Sequence, residues 1–428
     1  MPVYMWFFLG SMAIGVPIVF CLGFAPLATF TLMGKPIFYK MIVQRMYGGV
    51  NQFPLMAIPF FILAGNVMNT SGITMSLVRL SNVLVGHLRG GLAQVNIFVS
   101  ILFAGLSGSA VADTSAIGSI LIPAMEKDGY SREFSAAVTA ASSVIGPIIP
   151  PSIIMVIYAY VMGVSVGGLF AAGIIPGLIV GILLMTIAYI ISTKRNYPKR
   201  GKMASLREIV LAFRKASLPL LTPVIIIGGI LGGVFTPTEA AGIAAGYAIF
   251  LSLFVLRTIS LKDIPKMLYE TAITSSTILL IVGTATVFGW LVSTSQLPNK
   301  IADLLFSITA NKYILFFIIN LVLLVTGMFM DAGPAIMILG PVLAPTMIKM
   351  GIHPLHFAIV MSVNLTVGLA TPPLGLILFV ASGLTGLTIE SIFKELIPFL
   401  LIEVIVIFLI TYIPALSMTI PRLLGLLY

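Results

Sequence analysis

The sequence predicts an all-α polytopic membrane protein made of two inverted repeats, each with a re-entrant helical hairpin and a broken transmembrane helix. Three observations lead there. The 428 residues are 59% hydrophobic and only 8% charged, whereas soluble domains carry about 25% charged residues. Such a chain cannot cover a water-facing surface, which excludes a soluble enzyme. Apolar runs long enough to cross a bilayer, roughly 20 residues each, recur from Tyr4 to Ile413, and they lack the short alternating strands of a barrel. Finally, the chain repeats itself: the shift that lays Pro150-Pro151 on Pro372-Pro373 also lays Gly105 on Gly327, Gly118 on Gly340, Pro123 on Pro345 and Gly146 on Gly368. Of the 55 positions from 105 to 159, 14 are identical, half of them Gly or Pro. Because Gly and Pro fix backbone shape, the repeated object is a conformation.

The elements follow in order. Short crossings are expected at about 3–15 and 16–33, then one at 53–70. The first run has no basic n-region and no small-residue cleavage site, so it reads as a retained helix. Ile73, Leu77, Leu80, Leu84 and Leu88 share one helical face opposite Arg79, Asn82 and Arg89, the pattern of an interfacial helix. The segments 91–106 and 113–125, joined by GLSGSAVAD, are too short to cross separately and form the hairpin. A crossing interrupted by GPIIPPS and an unbroken one at 168–192 complete the repeat. The second repeat gives crossings at 218–236, 237–257 and 272–294, and an interfacial helix with Leu297, Ile301, Leu304 and Ile308 on one face. A hairpin turning at GMFMDAGP, a crossing broken at GLATPPLG and a last helix at 390–413 follow.

Five full crossings per repeat, an odd number, make the second repeat start on the opposite side from the first. Of the 23 basic residues, Lys194, Arg195, Lys199, Arg200, Lys202, Arg207, Arg214 and Lys215 crowd one segment, which the positive-inside rule places in the cytoplasm. The net charge of +10 therefore reflects topology, and without interleaved aromatics it gives no sign of nucleic-acid binding. Cys21, the single cysteine, allows no intrachain disulfide.

Interrupted helices leave backbone groups without partners, which lipid does not satisfy. Cations coordinate the freed carbonyls, and anions bind N–H groups at helix N-termini. Inverted repeats with such breaks are the mark of secondary transporters. Ser107, Ser109, Asp113, Ser142 and Ser143 lie at the first tip and before the first break, and Asp331, Asn364, Thr366 and Thr371 take the matching places in the second repeat. With the backbone carbonyls of Gly105, Gly146, Gly327 and Gly368 these hard oxygens suit Na+. Each has a plainer role available: hydroxyls that bond the preceding turn or a neighbouring helix, and aspartates that cap the second hairpin helix. Glu239 in TPTEAAG reads as part of a capping box, and His353 and His356 lack further partners for a metal site. Arg45 is either a snorkelling anchor or a clamp for a carboxylate. No catalytic motif and no nucleotide-binding loop occur.

FPLMAIPFFILAGNVM, GLSGSAVADTSAIGSILIPAM, GPIIPPSIIMVIYA, GGVFTPTEAAGIAAGYA, GMFMDAGPAIMILGPVLAPTM and GLATPPLGLILFV together resemble the large membrane subunit of tripartite ATP-independent periplasmic (TRAP) transporters over essentially the whole chain. The resemblance implies an elevator-type transporter of a bacterial inner membrane, in the lipid bilayer, coupled to Na+ and carrying a carboxylate such as sialic acid or a C4-dicarboxylate. Its implied partners are a small four-helix membrane subunit, expected as a separate chain or as one removed from this chain, and a periplasmic solute-binding protein. It puts the ion sites on the tips and breaks above and substrate contacts on Arg45, Ser109, Pro150, Thr371 and Pro372, with Arg45 pointing towards sialic acid. The expected division is scaffold 1–72, arm helix 73–90, transport body 91–163, scaffold 164–296 with basic loop 193–217, arm helix 297–311, transport body 312–385, and C-terminal scaffold 386–428. A stand-alone Na+/dicarboxylate elevator is the alternative within transport, and a membrane-embedded enzyme the alternative outside it.

Overall fold

The computed structural model describes residues 2–34, 37–199, 203–309 and 311–427, apart from the side chains of Ala302, Leu305, Phe306 and Ile308. The described residues form helices and no strands. The first repeat runs α1 (Val3–Ala13), α2 (Ile18–Leu32), α3 (Ile37–Val50), α4 (Ala57–Thr70), α5 (Ile73–Val85), α6 (Gly91–Ser107), α7 (Ala110–Lys127), α8 (Arg132–Ser143), α9 (Ile153–Met162) and α10 (Val166–Lys194). The second runs α11 (Leu206–Leu231), α12 (Pro237–Phe250), α13 (Ile264–Thr294), α14 (Leu297–Ile308), α15 (Lys312–Phe329), α16 (Ala332–Lys349), α17 (Pro354–Gly368), α18 (Leu376–Thr385), α19 (Ile389–Tyr412) and α20 (Ala415–Leu423). Among the described residues seven helical stretches are long and apolar enough to cross a membrane, or eight when α19 and α20, bent by 57°, count as one span.

The repeat is visible in three dimensions. The two hairpins, α6–α7 and α15–α16, and the two broken crossings, α8–α9 and α17–α18, stand at the spacing the prolines set, and both Pro150-Pro151 and Pro372-Pro373 are cis. The halves interlock reciprocally: α16 packs on α9 while α7 packs on α18, and α8 packs on α19 while α17 packs on α10. A twofold-related pair requires this exchange.

Several expected boundaries move. The string GLSGSAVAD is mostly helical: Ser109 caps α7 and leaves only Gly108 and Ser109 as the tip. Helix α3 has no counterpart in the reading of the sequence, because Lys40, Gln44, Arg45 and the Gly48-Gly49 pair hide its apolar side. It packs along α13 where Gly49 meets Thr286, close enough that a methyl group on Gly49 would lie 2.4 Å from the threonine hydroxyl. By the repeat register α3 and α4 together correspond to α13, which is unbroken for 31 residues and starts eight residues before the expected 272. The basic loop 193–217 is shorter than expected, since a capping box of Ser205 and Glu208 starts α11 at Leu206. Arg200 and Lys202 lie outside the described residues. Thr236 and Glu239 form the second capping box, as read from the sequence. Among the interfacial faces, α5 buries Ile73, Leu77 and Leu80 and exposes Arg79, whereas on α14 Leu304 is exposed; Ile308 falls outside the description. Helices α10 and α19, expected in the scaffold, lie against the broken helices, with Phe134 of α8 5.9 Å from Phe399 of α19.

Candidate functional site at the hairpin tips

Each tip meets the break of its own repeat. Gly108 has φ +60°, and a methyl group there would lie 2.6 Å from the Pro151 carbonyl oxygen. At the second tip Leu374 and Gly375 donate their N–H groups to the Met328 carbonyl at 3.3 and 3.4 Å. Gly327 and Gly368 bring α15 and α17 into direct backbone contact, since a methyl group on Gly368 would lie 2.5 Å from Gly327 Cα. Gly105 faces Pro223 of α11 instead, where a methyl group would come to 2.9 Å.

The two aspartates, read from the sequence as occupying matching places, are not equivalent. Asp331 is an N-cap: its Oδ1 accepts the Ala332 N–H at 2.8 Å, the job Ser109 does in the first repeat, where its hydroxyl accepts from Ala112 at 3.5 Å. Asp113 lies within the first turn of α7 and is fully buried. It accepts from the Ser107 hydroxyl, and its Oδ2 has no hydrogen bond among the described residues and faces Gly146 at the first break, 2.7 Å from where a methyl group on that glycine would sit. A carboxylate oxygen held unpaired beside a break is a place for a cation.

The polar residues before each break tie the broken helix to the hairpin. Ser142 donates to Asn96 Oδ1 at 3.1 Å and accepts from Ser100 at 3.0 Å. Asn364, its repeat counterpart, donates to Asn320 Oδ1 at 2.8 Å and to the Val360 carbonyl at 2.7 Å, while its own Oδ1 is buried without a partner among the described residues. Ser143, Thr366 and Thr371 donate to carbonyls of their own helices, Thr139, Ser362 and Val367, at 2.7, 2.7 and 3.0 Å. Those hydroxyl oxygens keep lone pairs for a ligand. His356 bonds Ser417 at 2.7 Å and the Thr411 carbonyl at 3.2 Å, a role inside the helix packing.

Two adjoining cavities of about 330 and 380 Å³ share Ser109, Val111, Ile153, Thr274 and Ile278. The second is lined by the first residues of four half-helices: Ala110 of α7, Ile153 of α9, Ala332 of α16 and Leu376 of α18. The N-termini carry partial positive charge and free N–H groups, so four of them converge on one space that, among the described residues, Asp331 lines and no Lys or Arg does. The scaffold supplies amides and hydroxyls opposite: Asn66 and Asn69 of α4 and Thr274 and Thr277 of α13. The sequence reading missed these four, although Asn66 lies inside the FPLMAIPFFILAGNVM motif and an amide within an apolar run is itself a signal. From the breaks, Pro147 and Leu369 line the cavity, whereas Pro150, Pro372 and Thr371, expected as substrate contacts, do not. Arg45 is elsewhere. Its guanidinium lies 4.5 Å from the Trp290 ring centre, in a third cavity of about 470 Å³ shared with Tyr160 and Thr286.

A family profile for the DctM component of the tripartite ATP-independent periplasmic transporters matches residues 5–416. The chain is 41% identical over 415 residues to the sialic acid TRAP transporter large permease protein SiaM of Vibrio cholerae, covering 97% of each. It is 40% identical over 394 residues to the C4-dicarboxylate TRAP transporter large permease protein DctM of Pseudomonas aeruginosa, covering 92% of each. The crystal structure of the Alcanivorax borkumensis YdaH transporter shares the fold, with a TM-score of 0.62 and 15% identity over 96% of this chain and 98% of that one. The chain therefore belongs to the DctM family of TRAP transporter large permeases, multi-pass proteins of the bacterial inner membrane.

Proposed function

We propose that this permease carries a hydroxylated carboxylate of the sialic-acid type into the cell, driven by Na+, together with a small membrane subunit and a periplasmic solute-binding protein. The observation that carries the reading is the convergence of four helix N-termini on a cavity whose polar side chains are Ser109, Thr274, Thr277 and the capping Asp331, with the amides of Asn66 and Asn69 in the adjoining cavity and no basic side chain in either. Such a site compensates one carboxylate by backbone N–H groups, while Asn66, Asn69, Ser115, Thr274 and Thr277 match hydroxyls. Na+ is placed on Asp113 with Ser107 and the Gly146 break, and on the free Oδ1 of Asn364. The body comprises the hairpins and broken helices with α10 and α19, sliding along α13 as an elevator. Thr286 lies about 18 Å beyond Thr274 along α13 by helical rise. A slide of that order brings the tip cavity to Arg45, whose guanidinium then receives the carboxylate.

The test is uptake of labelled sialic acid, with succinate as competitor, into proteoliposomes holding the chain and its small subunit, with binding protein outside and a Na+ gradient. Uptake that needs the gradient and resists succinate is expected. Uptake indifferent to Na+ would end the ion assignment, and uptake of succinate alone would move the substrate to the dicarboxylates.

A further inference from the structure

At the end of α10 that the positive-inside rule places in the cytoplasm, the turn between α5 and α6 is locked against that helix. Gly90 has φ +72°, and a methyl group there would lie 2.2 Å from Ser192 Oγ, so only glycine lets the turn approach so closely. Beside it the Arg89 backbone pairs with that of Lys199 in an isolated antiparallel bridge. One turn into α6, Gln94 Nε2 donates across to the Met185 carbonyl of α10 at 2.9 Å.

Below this clamp an open groove of about 390 Å³ runs between α6 and α10, lined by Leu88, Gln94, Ile182, Met185, Thr186 and Tyr189. Ile182 is 59% exposed and Tyr189 46%, towards the bilayer. A half-exposed tyrosine near a helix end marks the membrane–water interface. Arg89 follows the lining residue Leu88, the bridge sets Lys199 opposite it, and Lys194 ends α10 five residues beyond Tyr189. Among the described residues none of the three forms an ion pair, while two carboxylates on the same side are occupied: Glu126 by Arg132 at 2.8 Å and Glu395 by Arg195 at 2.7 Å. Cations without an ion-pair partner among the described residues, beside an apolar groove open to acyl chains, match an amphiphile with an anionic head.

We propose that this groove is a binding site for an anionic phospholipid of the cytoplasmic leaflet, its phosphate bridging Arg89 and Lys199 and one acyl chain lying along Ile182 and Met185. Basic pockets between transmembrane helices on the cytoplasmic side hold such headgroups. The bound lipid ties the amphipathic helix α5 to α10 at the point where the first hairpin begins.

The purified full-length chain in detergent, titrated with phosphatidylglycerol, phosphatidylcholine of the same chain length, or glycerol 3-phosphate, tests the site by native mass spectrometry. Phosphatidylglycerol should be retained in preference to phosphatidylcholine, and glycerol 3-phosphate not at all. Retention should fall roughly tenfold or more in Arg89→Gln/Lys199→Gln, and also in Thr186→Trp, which fills the groove and leaves the charges. Lys199→Gln alone, an exposed position, should show a partial loss should the double variant not fold, and Lys312→Gln/Lys349→Gln on the opposite side should retain lipid like the parent. Equal retention of the two lipids, or of phosphatidylglycerol by the parent and Lys199→Gln, would overturn the proposal. Glycerol 3-phosphate binding as well as the lipid would do the same and leave a soluble-phosphate site.

Discussion

Single atoms decide much of this molecule. Gly108 and Gly163 both need positive φ, at +60° and +66°, but a methyl group meets the Pro151 carbonyl at 2.6 Å in the first case and nothing within 4 Å in the second. The left-handed conformation costs a non-glycine residue about 1–2 kcal/mol, so Gly163→Ala should lose about that much in a thermal unfolding assay. Gly108→Ala should lose more and also lower uptake, because it pushes the tip from the break. Equal losses would contradict the close approach. At the outer end of α17, burial holds the His353 imidazole below its ordinary value of 6.5, and its Nδ1 accepts the Leu355 N–H at 3.2 Å. Folding thus favours the neutral ring. This contribution is complete above pH 6.5 and is lost as the pH falls and protonation removes the acceptor. His353→Asn, an uncharged cap, should flatten the dependence of melting temperature on pH between 7 and 5; parallel curves for parent and variant would refute the capping role.

At the scale of elements, the two repeats solve one problem with different atoms. Both broken helices are bonded to the first helix of their hairpin, through Ser142 and Asn96 in one repeat and Asn364 and Asn320 in the other. Asn320 also receives the Thr411 hydroxyl at 3.3 Å, which draws α19 into the second network. Removing Asn320 as leucine strands Asn364 in the interior, and a buried polar group left unpaired costs about 1–3 kcal/mol, measurable as a lower unfolding temperature. Asn364→Ala removes the partnerless Oδ1 as well, so on the proposed ion assignment it should raise the Na+ concentration for half-maximal uptake with membrane insertion intact. An unchanged Na+ dependence would return Asn364 to a purely structural role. The repeat spacing, both hairpins, both breaks and Glu239 as a cap were legible in the sequence, because Gly, Pro and capping side chains act within a few residues of themselves. Helix α3 was not, because charged residues interrupt the apolar pattern of a helix whose partner is distant in the chain, whereas the early start of α11 was missed although its Ser205–Glu208 capping box is a local signal.

For the whole molecule, reciprocal packing of the repeats puts both hairpins and both breaks around one central space, with α4 and α13 as its far wall. The elevator reading predicts that Val111→Cys/Thr274→Cys, made in a Cys21→Ser background and crosslinked across that cavity, abolishes uptake, and that reduction restores it. Full transport by quantitatively crosslinked protein would instead favour local gating. Should two Na+ accompany one carboxylate, uptake should also rise with an inside-negative potential, by roughly 2.3 kcal/mol per net charge at 100 mV. Composition alone determined that the chain lives in a membrane, and the Gly and Pro repeat determined that it folds as two copies of one shape, since those signals are local or additive along the chain. Only the tertiary structure decided that Asp113 turns an unpaired Oδ2 towards the first break, that Arg45 stands apart over Trp290, and that Asn66, Asn69, Thr274 and Thr277 face the tips. Which side chains share a cavity depends on how distant helices cross, and no periodicity within one helix encodes that.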